Sequence, residues 1–290
     1  MIVLKVGIAL ALLVLGAGYL GGVHPIGDSF AVIRPQMSVA ILLMAGLAFL
    51  WRKPGMAIAA AVVGCTALAP IAKMYVTQGE SGPFVLYQKN VLFNNNSLGT
   101  LAADIRASDA SVVTLQEVSQ ANEALLRDLS EVMPYQLLCP ADTAGGVAVL
   151  TRLAPISGKS ICVKGLAALQ VQGPSGPVWV VSIHLPWPWP FRQAELSETI
   201  VPQIAGLDGP SVVAGDFNMV RWSNLLGRIE RAADGHWAGP VQGSFGQFSP
   251  LADLPIDNVL APFGGKIELR PELGSDHKGL IARLSLISGS

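Results

Sequence analysis

Residues Ser211 to Val220 have the sequence SVVAGDFNMV, and this stretch decides how the rest of the chain is interpreted. The apolar run Val212 to Ala214 predicts a buried strand, which ends at a glycine followed by Asp216 and, two residues later, Asn218. A carboxylate and an amide at the tip of a buried strand are rigidly held, which suits orienting a water or binding a hard cation. A simpler interpretation is a strand-to-turn junction in which both side chains only hydrogen-bond the turn.

Polar residues recur where other apolar segments stop or are interrupted. They are Asn90 in FVLYQKNVLF, Glu117 in SVVTLQE, His184 in VWVVSIH, Asp216 and Asn218 in GDFN, Asp257 in PIDNVLA, and Asp276 with His277 in GSDHKG. Taken singly, each has a structural explanation, such as a surface position for Glu117 or a capped turn for His277. Because one kind of position carries all of them, we expect these side chains to share one site.

The first 76 residues are more apolar than the rest of the chain. Three apolar stretches, at 2–23, 37–51 and 55–71, are separated by a few charged residues, which are Lys5, Asp28, Arg34, Arg52, Lys53 and Lys73. This pattern predicts three transmembrane helices. A cleavable signal peptide is the alternative for the first stretch, but two further apolar stretches follow at once. We therefore expect a membrane anchor at 1–76 and a polar linker, TQGESGP, at 77–83.

The cations of the anchor predict its orientation. Arg52 and Lys53 lie in a tight turn between the second and third stretches, and cations in short loops favour the cytoplasmic side. Lys5 agrees with this placement, whereas Arg34 and Lys73 favour the opposite one more weakly. With the amino terminus inside, three crossings place the rest of the chain outside the cytoplasm.

Residues 84–290 are enough for one domain with its own core. Five of the 19 Lys and Arg and two of the 20 Asp and Glu precede Phe84, which leaves 14 and 18 and a domain about four charges negative. Such a domain lacks the basic footprint of non-specific nucleic-acid binding. Cys139 and Cys162 could form a disulfide outside the cytoplasm or remain free thiols.

Short, β-branched segments punctuated by glycine and proline alternate in groups with helical segments. Helical spacing is expected at 98–107, 120–132 and 192–205, with Ser119 as the cap of the second helix. Groups of strands between helices are typical of a mixed-sheet α/β sandwich rather than of a doubly wound sheet.

In this order, the motifs LQE, SIH, GDFN, PID and SDH resemble the endonuclease/exonuclease/phosphatase superfamily. That superfamily includes pancreatic-type deoxyribonucleases, abasic-site endonucleases, neutral sphingomyelinases and inositol polyphosphate 5-phosphatases. The resemblance covers roughly residues 84–286 and implies a four-layer α/β/β/α sandwich of two mixed sheets, with the site where their strand ends meet. The anchor is similar to that of a bacterial membrane-bound subgroup, which implies a multi-pass protein of the bacterial inner membrane.

The resemblance also implies which residues bind a metal ion. Glu117 would be the principal Mg²⁺ ligand, with Asn90 beside it and Asp276 as a candidate second ligand. Mg²⁺ prefers one or two carboxylates together with waters and substrate phosphate oxygens, so one strong carboxylate is enough. Mn²⁺ is the other ion expected to support activity.

The remaining residues take catalytic roles by the same resemblance. Asp216 would orient or deprotonate the attacking water, and Asn218 would hold that water or the phosphate. His277 would donate a hydrogen bond to the phosphate, with Asp257 on its other ring nitrogen. His184 would help to protonate the departing oxygen.

These expectations combine into a membrane-anchored, Mg²⁺-dependent phosphoester hydrolase in which water attacks phosphorus in line. Its partners would be the lipid bilayer and a phosphoester, with no obligate protein partner. The substrate could be nucleic acid, a lipid headgroup or a small phosphoester, and the WPWPF segment suits a membrane surface, unpaired bases or simple packing. The alternative is a catalytically inactive, membrane-tethered binding module on the same fold. A transporter is disfavoured, because the apolar stretches contain almost no ionisable residue.

Overall fold

The structure is a computed structural model, and it describes residues 1–140, 145–247 and 253–287. The first 76 residues form four helices, α1 (Ile2–Ala17), α2 (Ile26–Ala31), α3 (Arg34–Leu50) and α4 (Pro54–Val76). Among the described residues, only α4, with 23 residues, is by itself long and apolar enough to cross a membrane. The apolar helices α1 and α3 have 16 and 17 residues, so helix length does not confirm the prediction of three transmembrane helices.

The first helix ends earlier than the apolar stretch predicted. That stretch runs to Val23, but α1 ends at Ala17. Glycines at 18, 21 and 22 weaken the helix, and α2 starts immediately after Pro25. The end of this apolar stretch is therefore a turn that leads into α2.

Twelve strands and four further helices make up the described part of the remaining chain. The strands are β1 (Phe84–Asn90), β2 (Val112–Val118), β3 (Tyr135–Cys139), β4 (Gly146–Thr151), β5 (Pro155–Val163), β6 (Leu166–Gly173), β7 (Gly176–His184), β8 (Ser211–Asp216), β9 (His236–Trp237), β10 (Asp257–Ala261), β11 (Gly265–Arg270) and β12 (Gly279–Leu284). The helices are α5 (Leu98–Ala107), α6 (Glu123–Leu129), α7 (Gln193–Ala205) and α8 (Asn224–Ala233).

The helix expected at 120–132 is shorter in the structure. Residues Gln120–Asn122 form a 3₁₀ turn, and α6 ends at Leu129. The Ser119 hydroxyl does not cap the helix as expected, because it donates a hydrogen bond to the carbonyl of Phe93 at 2.5 Å. This contact ties the start of the helix to the loop after β1.

The strands form two mixed sheets of six strands each. The first has the order β11-β12-β1-β2-β4-β3 and the second the order β5-β6-β7-β8-β10-β9. Each contains one parallel pair, β1 with β2 and β7 with β8, and these pairs need crossovers, which contain α5 and α7. The arrangement confirms the predicted α/β fold with two mixed sheets.

Three apolar clusters stack the structure into layers. Valines and alanines such as Val149, Val180 and Ala214 fill the space between the two sheets. Helices α5 and α6 cover the outer face of the first sheet, and α7 and α8 cover that of the second. The order of layers is therefore helix, sheet, sheet, helix.

The amino-terminal helices pack against this sandwich. Ala31 of α2 and Ile71 of α4 are buried in the same apolar cluster as α7 and α8. Trp222, just before α8, donates from Nε1 to the carbonyl of Ala31 at 2.7 Å, and the Trp222 carbonyl accepts from Arg34 at 2.8 Å. The helices and the sandwich are thus joined by both apolar and polar contacts.

A disulfide joins the two sheets. The Sγ atoms of Cys139 and Cys162 are 2.03 Å apart, and the bond connects β3, at one edge of the first sheet, to β5, at one edge of the second. Of the two states that the sequence left open, the structure has the disulfide.

Candidate active site

Three of the predicted residues lie in one row across the second sheet. In the strand register, His184 of β7 is opposite Asp216 of β8, and Asp216 is opposite Asp257 of β10. In the first sheet, Asn90 ends β1 opposite Gln116, the residue before Glu117. Binding sites of α/β proteins commonly lie at the carboxyl ends of parallel strands, and both parallel pairs bring their polar residues to this end.

The glycine before Asp216 makes this row possible. Strand β8 is buried along its whole length, and Gly215 has a φ of +156°. A Cβ atom at position 215 would lie 1.9 Å from the carbonyl oxygen of Ile183 in β7. Only glycine therefore allows the two strands to approach this closely beside Asp216.

Asn90 connects the two sheets at the centre of the site. Its Nδ2 donates hydrogen bonds to Glu117 Oε1 and to Asp216 Oδ2, both at 3.0 Å. His184 faces the same two carboxylates, because its Nε2 lies 3.8 Å from Glu117 Oε1 and 3.7 Å from Asp216 Oδ2. Four side chains from four strands thus form one compact cluster.

Two site residues have left-handed backbone conformations, which side chains other than glycine rarely adopt. Glu117 has a φ of +58° and lies where the pairing of β2 with β4 shifts register, as in a β-bulge, and Asn218 has a φ of +47°. Such conformations cost roughly 1–3 kcal/mol and persist where the surroundings fix them. For Glu117, the N–H of Phe93 donates to Oε2 at 3.1 Å. At both positions the strained backbone aims the side chain of a site residue, as at functional bulges.

His277 is held by Asp257. The ring nitrogen Nδ1 donates to Asp257 Oδ2 at 2.7 Å, and Gln88 donates to Asp257 Oδ1 at 2.8 Å. The opposite ring nitrogen, Nε2, lies 3.7 Å from Asp216 Oδ2. Asp257 therefore orients the imidazole so that Nε2 faces the centre of the cluster.

Burial and mutual charge set the protonation of this cluster. Burial disfavours the charged form of His277, but Asp257 and Asp216 outweigh it and raise the pKa of His277 to about 10. Burial likewise raises the pKa of Asp257, yet the charge and hydrogen bond of His277 outweigh it and hold that pKa below its usual range. At neutral pH these two groups form an ion pair.

Asp216 behaves differently because burial dominates. Desolvation raises the pKa of Asp216 to about 6; the charges of His277 and His184 oppose this rise and that of Asp257 adds to it. A carboxylate whose pKa lies near working pH can both hold and accept a proton, which is what a general base requires.

Two oxygen atoms of the site are buried without a hydrogen-bond partner among the described residues. They are Oδ1 of Asn218 and Oδ1 of Asp276. The other polar atoms of these side chains have partners, since Asn218 Nδ2 donates to the carbonyl of Leu185 at 2.8 Å and Asp276 Oδ2 accepts from Gln247 at 3.2 Å. Buried oxygens are normally satisfied, so both are free to bind an ion or a substrate atom.

The donor set fits a hard divalent cation. Carboxylate and amide oxygens are the ligands that Mg²⁺ prefers, and Glu117 and Asp216 bring carboxylate oxygens to the same Asn90 side chain. Asp216, Asp257 and His277 also lie together, with potential ligand atoms within 4.8 Å of one another, but the hydrogen bond between Asp257 and His277 already pairs two of these groups. Asn90 is placed differently from the expectation of a ligand beside Glu117, because its Oδ1 accepts from the N–H of Leu92 at 3.0 Å while its Nδ2 faces the carboxylates.

A buried polar layer that was not predicted from the sequence lies under the site. Gln88 also donates to Gln116 Oε1 at 2.8 Å, Gln116 donates to Ser182 Oγ at 3.0 Å, and Ser182 donates to the carbonyl of Leu115 at 3.0 Å. These hydrogen bonds cross between the two sheets, and Gln88 connects them to Asp257. The signal of this layer in the sequence is a polar residue that interrupts an apolar strand before the site residue at the strand's end, as Gln88 in FVLYQKN and Ser182 in GPVWVVSIH.

An aromatic wall beside His277 was missed as well. The rings of Phe245 and His277 are 4.7 Å apart between centroids, and those of Trp187 and Phe245 are 5.6 Å apart. Trp187 belongs to the WPWPF segment that follows β7, so this segment contributes directly to the surroundings of the site.

Comparisons with known proteins agree with this architecture. Residues 88–277 match the model of the Endonuclease/Exonuclease/phosphatase family, and this range contains all eight predicted site residues. A search of curated proteins gives no match.

Three solved structures illustrate the similarity of fold. A protein of the endonuclease/exonuclease/phosphatase family from Leptotrichia buccalis has a TM-score of 0.55 at 15% identity, covering 70% of this chain and 99% of that one. Sphingomyelinase C from Streptomyces griseocarneus has a TM-score of 0.50 at 18% identity, covering 70% and 99%. A mutant beta toxin from Staphylococcus aureus with bound magnesium ions has a TM-score of 0.50 at 13% identity, covering 69% and 99%.

At these identities the solved structures establish a common fold, and the family model adds the motifs. The match extends over more than half of the chain, and within it the polar ends of β1, β2, β7, β8 and β10 converge on one cluster. This chain belongs to the endonuclease/exonuclease/phosphatase family.

Proposed function

We propose that this protein is a membrane-anchored, Mg²⁺-dependent phosphoester hydrolase that uses direct attack by water. The observation that carries the proposal is the position of Asp216, which lies within 4 Å of His184 and His277 and shares Asn90 with Glu117. Members of the family are generally phosphoester hydrolases, and no residue of the expected catalytic set has been lost.

Asp216 would orient the attacking water and take up its proton. Its raised pKa suits proton uptake near neutral pH. The N–H of Asn218 donates to Asp216 Oδ1 at 2.8 Å, which fixes the carboxylate and leaves the Asn218 amide oxygen for the water. A fixed carboxylate beside a fixed acceptor places the water for in-line attack on phosphorus.

The two histidines would stabilise the charge that develops on the other oxygens. His277, an imidazolium beside Asp257, would donate from Nε2 to a phosphoryl oxygen, where the hydrogen bond strengthens as charge accumulates. His184, on the strand that pairs with β8 opposite β10, would give a proton to the departing ester oxygen.

Glu117 would be the main ligand of the metal ion, with Asp276 as a candidate second ligand, while Asn90 would hold the Glu117 carboxylate in place through its Nδ2. When bound, Mg²⁺ or Mn²⁺ neutralises charge on the phosphoryl oxygens and polarises phosphorus toward the nucleophile. The magnesium ions in the beta toxin structure support this choice of cation for the fold.

We further propose that α1, α3 and α4 all cross the membrane. Small residues pack where these helices meet, namely Ala11, Ala45, Ala48, Ala57, Ala60, Gly64 and Ala67, as is typical of membrane helices. Leu4, Ile8, Leu15 and Ile41 share these clusters. Many other large apolar side chains point outward and are exposed, namely Ile2, Val3, Val6, Leu10, Leu13, Val39, Leu43, Leu47, Phe49, Leu50, Ile58 and Val62. This is the reverse of a water-soluble bundle. At about 1.5 Å per residue, α1 and α3 extend for roughly 24 and 26 Å, close to the hydrocarbon thickness of a thin bilayer.

In this proposal the sandwich lies outside the cytoplasm, in a multi-pass protein of the bacterial inner membrane. Arg52 and Lys53 lie in the turn between α3 and α4, the end away from the sandwich, where cations favour the cytoplasm. The Cys139–Cys162 disulfide supports the same placement, because disulfides persist in oxidising compartments. Alkaline phosphatase fused after Ser290 is expected to be active; a fluorescent cytoplasmic fusion at the same residue would reverse the orientation.

The hydrolase proposal is tested with the full-length protein in detergent and bis-p-nitrophenyl phosphate, a generic phosphodiester. We expect hydrolysis with Mg²⁺ or Mn²⁺, none in excess chelator, and loss of at least about 100-fold in Glu117→Gln and His277→Gln. Asp208→Asn is a matched control, because Asp208 is exposed and its ion pair with Lys159 lies on the surface. Full activity in chelator would reject the metal-dependent mechanism. No hydrolysis of any phosphoester by well-folded protein would favour an inactive binding module instead.

A further inference from the structure

One end of the bundle formed by α1, α3 and α4 lies against the sandwich. Leu4, Ala48 and Ala57 share one apolar cluster, so the start of α1, the end of α3 and the start of α4 lie together. The end of α1, the start of α3 and the end of α4 are therefore at the opposite end. At that end, the carbonyl of Met74, near the end of α4, accepts a hydrogen bond at 2.9 Å from the N–H of Val241 in the sandwich.

Asp28 of α2 anchors this end to the sandwich. Its buried carboxylate accepts hydrogen bonds from the backbone N–H groups of Asn224 at 2.8 Å and Leu225 at 3.2 Å, the first two residues of α8. A carboxylate at a helix amino terminus satisfies free N–H groups and the helix dipole. Together with the Trp222 contacts, it fixes the orientation of the sandwich relative to the anchor.

One segment connects the active site to the end of the anchor that contacts the sandwich. We call residues 185–191, LPWPWPF, the aromatic loop. At its start, the N–H of Leu185 donates to the carbonyl of Asp216 at 3.0 Å, and Trp187 stands in the aromatic wall beside His277. Further along, the Ser29 hydroxyl of α2 donates to the carbonyl of Trp189 at 2.7 Å. The aromatic loop thus spans from the active site to the anchor.

Large apolar side chains are exposed on both sides of the hydrogen bond between Ser29 and Trp189. Trp189 and Phe191 of the aromatic loop are 46% and 61% exposed, and Leu20 and Val23, between α1 and α2, are 53% and 82% exposed. The backbone at Leu20 packs closely on Gly27, two residues before Ser29. We call Leu20, Val23, Trp189 and Phe191 the apolar rim. It continues from the end of α1, the level at which tryptophan and other amphipathic side chains favour the membrane interface.

We propose that the apolar rim enters the interface of the same bilayer and that the substrate is a phosphodiester in the headgroup of a lipid in that bilayer. The inference rests on the proposed hydrolase function and adds its substrate class. Water forms the new P–O bond, one P–O ester bond of the headgroup breaks, and the departing oxygen leaves with a proton. The aromatic loop carries the lipid from the interface to His277.

Competing substrates are less well matched to these surfaces. The sandwich is about four charges negative by sequence, which disfavours nucleic-acid backbones. A small soluble phosphoester would need neither an exposed Trp189 and Phe191 nor their attachment to the anchor through Ser29.

The test uses the full-length protein in nanodiscs that contain phosphatidylethanolamine, phosphatidylglycerol, phosphatidylcholine and sphingomyelin. The variant carries Trp189→Ser and Phe191→Ser; the Ser29 hydrogen bond uses a backbone carbonyl, which this variant retains. Tyr135→Ser is the matched control, because Tyr135 is also exposed but lies in β3, at the edge of the first sheet opposite β11. Mg²⁺-dependent release of headgroup or phosphorylated headgroup is measured beside hydrolysis of bis-p-nitrophenyl phosphate.

We expect the double variant to hydrolyse bis-p-nitrophenyl phosphate within about twofold of the wild type and lipid at least about tenfold more slowly, since each lost aromatic anchor weakens burial in the interface. The control should lose neither activity.

If the double variant also loses the soluble activity, Phe191→Ser alone repeats the comparison. Lipid hydrolysis that is equal in variant and wild type overturns the inference. Hydrolysis of bis-p-nitrophenyl phosphate or of single-stranded DNA without any lipid hydrolysis also overturns it, but leaves the hydrolase proposal standing; inactivity on every substrate instead refutes the hydrolase proposal.

Discussion

Replacing Asp257 by asparagine tests how the site keeps His277 charged. The Asp257 carboxylate accepts from His277 Nδ1 at 2.7 Å, and together with Asp216 it raises the pKa of His277 to about 10 against the opposing effect of burial. An opposite charge at this distance is worth about 1–3 pKa units. At the middle of this range, the pKa of His277 in Asp257→Asn is expected to fall by about 2 units to roughly 8, which corresponds to about 3 kcal/mol less stabilisation of the imidazolium.

The consequence is a shift in the alkaline limb of the activity profile. Near pH 9 most His277 is charged in the wild type, whereas about one molecule in ten keeps that charge if the pKa is about 8. Hydrolysis of bis-p-nitrophenyl phosphate at saturating Mg²⁺ should therefore decline at lower pH in Asp257→Asn. Asp208→Asn removes an exposed carboxylate and should leave the profile unchanged.

The raised pKa of His277 also determines how the free energy of unfolding changes with pH. Because the pKa of His277 is raised from 6.5 to about 10, its protonation contributes stability that is complete below pH 6.5 and is lost as the pH rises through about 10. The free energy of unfolding of metal-free protein should fall over this range, and less steeply in Asp257→Asn. NMR titration of ¹³C-labelled histidines checks the pKa of His277 directly. Coinciding alkaline limbs, or an ordinary pKa for His277 in the wild type, would refute the reasoning.

Three further predictions concern stability and metal binding. Removing the disulfide with Cys139→Ser and Cys162→Ser opens a loop of 23 residues and should lower the free energy of unfolding by about 3 kcal/mol, measured by urea denaturation; an unchanged midpoint would contradict the bridge. Asp28→Ala removes two hydrogen bonds from the start of α8 and should cost about 1–2 kcal/mol in thermal unfolding, whereas no loss would show that the docking contact is dispensable. Mg²⁺ should raise the melting temperature of the wild type in proportion to the logarithm of its concentration and leave Glu117→Gln unaffected; equal shifts in both proteins would remove Glu117 from the metal site.

Periodicity and turn residues predicted much of the fold. Helix α5 lies at 98–107 as expected, because the spacing of apolar residues along a helix is a local signal. The end of α1 was not predicted, since residues 18–23 continue the apolar stretch yet turn toward the sandwich. Hydropathy measures the preference for an apolar environment and carries no information about this contact between distant segments.

The residues of the candidate site could be predicted from the sequence, but the buried hydrogen bonds and aromatic contacts that support them could not. Each of the eight residues stands near the end of an apolar segment, a position visible in the sequence, and seven of them join in the hydrogen-bonded and ion-paired contacts described above. Gln88 and Ser182 were missed because the network that joins them crosses between two sheets. The pairing of Trp187 with Phe245 and His277 depends on residues almost 60 and 90 positions apart, which no local pattern encodes.

The position of a bound divalent cation tests the central claim most directly. Crystals of the full-length protein soaked in Mn²⁺ would show the ion through its anomalous scattering. We predict one strong peak beside the Glu117 carboxylate, at roughly 2.0–2.3 Å from a carboxylate oxygen and within the cluster of Asp216, Asn218 and His277. A peak bound by none of these residues, or no peak at saturating Mn²⁺, would contradict the proposed metal-dependent site.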